Sequence, residues 1–122
     1  YMPCNPSIGG PGKSQIVAEV DAMGGAMARV ADRTSLHVRI LNTSKGPAVQ
    51  AKRSQQDKNL YALAMKETHE LQQNLELLQD EAIGLEIDSN DRVTGILCRS
   101  AGLIRARAVV ITAGTFLRAA VI

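Results

Sequence analysis

The spacing of apolar residues changes along the chain, and the first periodic segment is helical. Its apolar positions recur every three or four residues, which places their side chains on one face of a helix. These positions are Ile16, Val20, Met23, Met27 and Val30. We therefore predict one helix over residues 14–29, although Gly24 and Gly25 weaken it by about 1 kcal/mol each relative to alanine.

A strand and a second helix are predicted in the middle of the chain. Residues 36–41 alternate between apolar and polar, which is typical of a strand, and the turn-forming residues 42–47 end it. The next helix is expected to begin between residues 49 and 53 and to end near Glu70. Its inner face is formed by Leu60, Tyr61, Ala64, Met65 and Thr68. Residues 74–79 form a short apolar run, which predicts a buried parallel strand after this helix.

The last third of the chain has the period of strands. Three alternating runs, at residues 81–87, 93–98 and 103–107, are separated by turn-forming residues. This spacing predicts an antiparallel β-meander. Residues 108–111 are then continuously apolar and end in Thr112-Ala113-Gly114, a pattern typical of a buried strand whose carboxyl end lies at a ligand.

Composition limits the size and class of the protein. A chain of 122 residues that is 45% hydrophobic can bury one modest core, so one domain or part of one is expected. The formal net charge of +2 is too small to indicate a nucleic-acid partner, because basic and acidic residues are interspersed. No apolar run approaches the ~20 residues of a membrane span, and no secretory leader is visible. We therefore expect no membrane contact and an intracellular location.

The cysteines and histidines do not predict a metal site or a disulfide. Cys4 and Cys98 are far apart in sequence and form no C-x-x-C pair. His37 alternates with apolar residues in the predicted strand, and His69 lies near a helix end. Neither histidine has a cluster of partner ligands nearby in sequence, so structural roles are expected for both.

The clearest chemical indication is the glycine-rich loop at residues 8–13, which follows Cys4 and leads into the first helix. Glycine allows close approach of a ligand, and a helix start favours negative charge. One interpretation is a P-loop-type nucleotide-phosphate-binding module, because Gly12-Lys13-Ser14 ends the pattern G-x-x-x-x-G-K-[ST]. Ser7 stands where that pattern requires its first glycine, and residues 1–6 are too short and proline-rich to be the preceding strand. A second interpretation is a structural turn without a ligand.

A third interpretation rests on four motifs in a fixed order. They are MPCNPSIGG, EVDAMGG, LNTSKGPAVQAKRSQQDK and AVVITAGTFL. Together they resemble the GidA (MnmG) family of tRNA-modifying flavoproteins over nearly the whole chain, and the third motif is the most specific. The pattern departs from the family after Leu117.

The resemblance implies a fold of the α/β class, part of a Rossmann-like FAD-binding domain with an antiparallel β-meander insertion. Nowhere does the sequence contain a strand followed by G-x-G-x-x-G, the element that holds the FAD pyrophosphate. Residues 1–122 are therefore expected to be a partial FAD-binding domain, without the first βαβ unit and the C-terminal parts. The apolar faces of residues 75–78 and 108–111 would then lack neighbours and remain exposed.

The resemblance also implies an activity. Family members bind FAD, use NADH as reductant and methylenetetrahydrofolate as one-carbon donor, and act with an MnmE-type GTPase. They add an aminomethyl-type group to carbon 5 of the wobble uridine of certain tRNAs. A homodimer and a cytoplasmic location are expected for the full-length protein.

The resemblance assigns Cys4 as a catalytic thiol near the flavin, and a helix start beside Lys13 would favour its thiolate form. No general base is identifiable in the sequence. The residues expected to bind the cofactor are Asn5, Ile8, Gly9, Gly10, Lys13, Ala82, Thr112, Ala113 and Gly114. The basic residues Lys45, Lys52 and Arg53 face either a phosphate-bearing partner or solvent.

Overall fold

The computed structural model describes residue 2, residues 5–114 and residue 117. Contacts within the chain define two compact units, one ending at Leu77 and one beginning at Leu78. Each unit contains a three-stranded antiparallel sheet. The mixed α/β class predicted from the sequence is confirmed.

The first unit is built on a sheet of β1 (Ser7–Gly9), β2 (Ser35–Leu41) and β3 (Ala51–Gln56), with β3 in the centre. The predicted strand over residues 36–41 is confirmed as β2. The prediction that the second helix begins between residues 49 and 53 is wrong, because these residues lead into β3. The helix begins later, as α3 (Lys58–Glu70). The Asp57 side chain caps it by accepting hydrogen bonds from the amides of Asn59 and Leu60, both at 2.9 Å.

The single helix predicted over residues 14–29 is instead two helices, α1 (Lys13–Ala22) and α2 (Ala26–Arg33). Gly24 has a φ of +88° and follows the last turn of α1. The amide of Gly24 donates to the Asp21 carbonyl and that of Gly25 to the Val20 carbonyl, both at 2.8 Å. This is a Schellman motif, which ends a helix with glycine in the left-handed region. The two glycines therefore terminate the helix rather than weaken it.

A buried polar network attaches β3 to α2. Gln56 is 1% exposed and Thr34 is 7% exposed. The Gln56 side chain donates to the carbonyl of Ala31 at 3.0 Å and to Thr34 Oγ1 at 2.8 Å, and it accepts from Ser54 Oγ at 2.6 Å. Thr34 Oγ1 in turn donates to the Val30 carbonyl at 2.8 Å. Every polar atom of this network has a partner, so its burial is compensated.

The second unit is the predicted meander, formed by β4 (Ala82–Ile87), β5 (Val93–Cys98) and β6 (Gly102–Arg105). Asp88 organises its first turn by accepting hydrogen bonds from the amides of Asn90 at 2.8 Å and Arg92 at 3.0 Å. Gly102 begins β6 with a φ of +72°. These are the turn positions at which aspartate and glycine are favoured.

Two predicted buried strands are not formed. Residues 74–79 and 108–111 lie outside helices and strands, and no strand of the described residues pairs with them. Their apolar side chains are largely exposed, including Leu77, Leu78 and Ile111, and Val110 is 85% exposed. A continuous apolar run predicts burial, but a parallel strand also needs a neighbour to pair with.

The buried apolar core of the described residues is small. It contains Val30, Ala31, Ala51 and Cys98. Large apolar side chains are exposed in both units, so the expectation of a large exposed apolar surface is confirmed.

Candidate functional site

The glycine-rich loop crosses the end of the first sheet, and its two neighbouring glycines have different roles. Gly9 has a φ of +94°, and a Cβ there would collide with the Lys52 carbonyl oxygen. Gly10 has a φ of +105°, and its amide donates to the same oxygen at 2.8 Å. A Cβ at Gly10 would meet no atom within 4 Å. Gly9 is therefore required for strand packing, whereas Gly10 borders open space that a ligand can enter.

The start of α1 is folded back on this loop. The amides of Lys13 and Ser14 both donate to the Gly10 carbonyl, at 3.1 and 2.9 Å. A P-loop instead leaves successive amides free to surround a phosphate. The strand before the loop, β1, has three residues and pairs antiparallel with β3. The geometry thus disagrees with the P-loop interpretation.

The sheet separates Asn5 from Ile8 and Gly9, three of the residues expected to line the flavin site. Ile8 and Gly9 border a cleft of about 480 Å³ between the sheet and helices α1 and α2. Asn5 borders a different cleft of about 330 Å³ on the opposite face of the sheet. That second cleft is polar, and it is lined by Asn5, His37, Arg39, Arg53 and Gln55. Lys13 is exposed at the first position of α1.

The second unit brings three predicted cofactor residues together. Ala82, Thr112 and Ala113 line one cleft of about 460 Å³. Its apolar walls also include Ile83, Gly84, Leu85 and Ile96, which the sequence interpretation did not single out. Because three of them are consecutive in β4 and Ile96 lies in β5, no single sequence period could have identified this set. Gly114 follows the cleft residues with a φ of +60° and is exposed.

Hydrogen bonds and an ion pair of charged side chains hold the residues just before β4 against the turn between β5 and β6. Asp80 accepts hydrogen bonds from the amides of Ala101 at 2.8 Å, Glu81 at 2.7 Å and Ser100 at 3.1 Å. These bonds, led by that from Ala101, hold the pKa of the Asp80 carboxyl below its ordinary value. Arg99 Nε donates to Glu81 Oε2 at 2.6 Å, which lowers the pKa of Glu81 and raises that of Arg99. This cluster has a structural role, because the Asp80 carboxylate accepts from backbone amides and the side chains of Glu81 and Arg99 pair with each other.

The proposed catalytic thiol, Cys4, lies outside the described residues. Cys98 is buried in β5. Within residues 5–114, no group of three His, Cys, Asp or Glu side chains is placed to hold a metal ion. In the same part of the chain, no helix has the length and apolar character needed to cross a bilayer.

Comparison with known proteins identifies the family. The model of the family described as glucose inhibited division protein A matches residues 1–122. The tRNA uridine 5-carboxymethylaminomethyl modification enzyme MnmG of Endomicrobium trichonymphae is 50% identical over 117 residues, which are 96% of this chain and 19% of that protein. The protein of the same name from Geobacillus kaustophilus is 50% identical over 122 residues, which are 100% of this chain and 19% of that protein.

The fold comparison agrees with the sequence comparison. The structure of Aquifex aeolicus GidA overlays with a TM-score of 0.85 at 42% identity, covering 96% of this chain and 19% of that one. The chain therefore spans about a fifth of the length of these relatives, and the predicted fold class, part of the family's α/β fold with its meander, is confirmed. Since the family model matches along the whole sequence and half of the residues are identical in two relatives, this chain belongs to the GidA family.

Proposed function

We propose that this chain is part of an FAD-dependent enzyme that modifies carbon 5 of the wobble uridine in tRNA. The observation that carries the proposal is the 50% identity, along the entire chain, to proteins named as tRNA uridine 5-carboxymethylaminomethyl modification enzymes. In this proposal residues 1–122 form a partial FAD-binding domain. The geometry of the glycine-rich loop does not support the alternative, a P-loop-type nucleotide-phosphate-binding module, and neither do the compared proteins.

The residues present fit a flavin. Gly10 has backbone open to a ligand, and the cleft at Ala82, Thr112 and Ala113 is lined by small and apolar side chains. Small residues let the backbone approach a planar cofactor closely. We assign Asn5, Ile8, Gly9, Gly10, Lys13, Ala82, Thr112, Ala113 and Gly114 to the cofactor site. FAD, with NADH as reductant, would supply the redox chemistry.

Cys4 is proposed as the nucleophile. Its thiolate would form a bond to carbon 6 of the uridine, and the electrons of the C5–C6 double bond would move toward carbon 5. Carbon 5 then forms a bond to the methylene carbon of methylenetetrahydrofolate as one of that carbon's two bonds to nitrogen breaks, and the released folate nitrogen keeps the electron pair and takes up a proton. Loss of the carbon 5 proton and departure of the thiolate restore the double bond. Lys13, at the start of α1, would favour the thiolate form of Cys4.

The remaining parts of the proposal concern partners. The activity would require tRNA and an MnmE-type GTPase, and the full-length protein would act as a homodimer in the cytoplasm. A chain that covers 19% of its relatives would supply one portion of such an enzyme.

The test uses a protein of the relatives' length that carries this segment. It should purify with bound FAD, visible by flavin absorbance, and restore modified wobble uridine in cells lacking the activity, as measured by mass spectrometry of tRNA nucleosides. A matched protein in which the present segment is deleted is the control. A protein that binds no flavin and leaves the uridine unmodified would contradict the proposal and favour a folded segment without a ligand.

A further inference from the structure

The face of the first sheet that carries Asn5 contains two arginines placed directly opposite each other. In the antiparallel pairing of β2 with β3, Arg39 is the partner of Arg53. Side chains paired in this way are about 4.5–5.5 Å apart at Cβ, and like charges at such positions destabilise a sheet. The next pair on the same face is His37 with Gln55.

Neither arginine is neutralised within the described residues. The ion pairs there are Arg33 with Glu67, Lys66 with Glu70, Arg99 with Glu81, and Arg105 with Glu86. Arg53 Nε donates to Ser7 Oγ at 3.2 Å, which orients the guanidinium without compensating its charge. Two unneutralised cations therefore share one face of a three-stranded sheet.

These side chains surround a space rather than a flat surface. Arg39, Arg53, His37, Gln55 and Asn5 line the polar cleft of about 330 Å³. The cleft supplies two guanidinium groups and two carboxamides, all of which donate hydrogen bonds. Phosphate fits this set, because its several oxygens accept from more than one planar guanidinium at a time.

We propose that a phosphate group binds on this face between Arg39 and Arg53, with His37 and Gln55 donating further hydrogen bonds. The anion would remove the repulsion between the two arginines. The choice of tRNA rests on the proposed function, which itself assigns no residue to a phosphate. Two sources carry this chemistry, the backbone of tRNA and the pyrophosphate of a dinucleotide. The position of Asn5, next in sequence to Cys4, favours the tRNA backbone, because a phosphate there would lie near the nucleotide that reacts.

The test compares Arg39→Gln, Arg53→Gln and the double variant in a protein of the relatives' length. Lys52→Gln is the matched control, since it removes the same charge from the same strand on the opposite face. Binding is measured with a tRNA transcript over a range of salt, with ADP-ribose and with inorganic pyrophosphate. Thermal unfolding and flavin content show whether each variant folds, and Arg53→Lys tests charge without the planar guanidinium.

We expect the double variant to lose about tenfold in affinity for tRNA and to reduce the slope of log K against log salt by about 1, as for one lost phosphate contact. Loss confined to ADP-ribose, with bound flavin retained, would identify a dinucleotide other than FAD as the source of the phosphate. The proposal is overturned if unmutated protein binds none of the three probes, if the double variant binds all as before, or if Lys52→Gln has the same effect. Loss of flavin in a folded double variant also overturns it, because the arginines would then serve FAD. Failure to modify tRNA would contradict the proposed function but leave pyrophosphate or ADP-ribose binding as evidence for this site.

Discussion

At the scale of single residues, two neighbouring glycines of one loop have different roles: one is needed for packing, and the other borders space that a ligand can enter. Gly9 is fixed by the approach of the Lys52 carbonyl, whereas Gly10 combines a positive φ with open space beside its Cα. The sequence pattern treats them alike, because both are glycines in one turn. Only the contacts of each Cα distinguish the two roles.

Gly10→Val should reduce flavin binding. A β-branched residue at a φ of +105° is strained, and its side chain would occupy the open space. The matched control is Gly12→Val, at a φ of +73° and likewise without neighbouring atoms. Bound FAD absorbance per protein is the measurement. Equal flavin loss in both variants would attribute the effect to backbone strain and contradict a contact at Gly10.

Cys4→Ser should retain FAD and lose uridine modification. A thiol contributes little to holding a cofactor bound mainly through its pyrophosphate and ribose, but its replacement removes the proposed nucleophile. The measurements are flavin absorbance and modified-nucleoside content in a protein of the relatives' length. Cys98→Ala, in buried β5, is the control and should keep the modification. Full modification by Cys4→Ser would remove Cys4 from the catalytic mechanism.

At the scale of elements, the Asp80 carboxylate holds the beginning of β4 against the turn before β6. Because its pKa is lowered in the folded protein, the stabilisation is present above the unfolded pKa of ~3.9 and is lost as pH falls through the lower folded value. Asp80→Asn should therefore weaken this turn at pH 7 and have little further effect below the folded pKa.

Hydrogen exchange at the amides of Ser100 and Ala101 measures this effect locally. Their protection should fall in Asp80→Asn at neutral pH, since these amides donate to the Asp80 carboxylate. Asp91→Asn is the control, because it removes the same charge from an exposed turn position with a φ of +59°. Unchanged protection in Asp80→Asn at pH 7 would contradict the assignment.

The elements that the sequence predicted are those with a clear apolar period. The strand β2 and the meander were predicted because their residues alternate. The strand β3 was missed because its sequence, AKRSQQ, has no apolar alternation: one face is the polar cleft, and the other carries the buried glutamine network. The break after α1 was missed because Gly24 and Gly25 were counted as helix residues, although together they form a C-terminal cap.

The assignment of the candidate site to a cofactor stays a prediction. Ala82, indicated by the family resemblance, lines one cleft with Thr112 and Ala113, which both the resemblance and the apolar run before them indicated. Arg39 was not predicted, because its relation to Arg53 depends on the pairing of β2 with β3. Cross-strand neighbours of this kind cannot be identified until both strands and their alignment are known.

At the scale of the whole molecule, many large apolar side chains of the described residues are exposed. Exposed side chains include Val110 at 85% and Met23 at 80%, whereas four apolar residues are buried in the part of the chain that the structure describes. Surfaces of this kind favour association, and open sheet edges add to it.

The 122-residue chain produced alone should therefore form oligomers or aggregates. Size-exclusion chromatography with light scattering gives the mass directly. A protein of the relatives' length provides the comparison and should elute as a defined species, because its further segments would cover the apolar side chains. A sharp, stable monomer peak from the 122-residue chain would contradict the proposal that it is part of a larger domain.

The buried side-chain amide of Gln56 also determines which side chains of β3 face solvent. A strand with polar residues on both faces has no apolar pattern to fix its alignment, and a slip of one residue would exchange its two faces. Such a slip would bury Arg53 and Gln55 and separate Gln56 from Ala31 and Thr34. Each buried polar group left without a partner costs about 1–3 kcal/mol. Gln56 thus fixes the alignment of β3 with its neighbouring strands. Arg53 points outward as a consequence of the hydrogen bonds that the Gln56 side chain makes on the opposite face of the sheet.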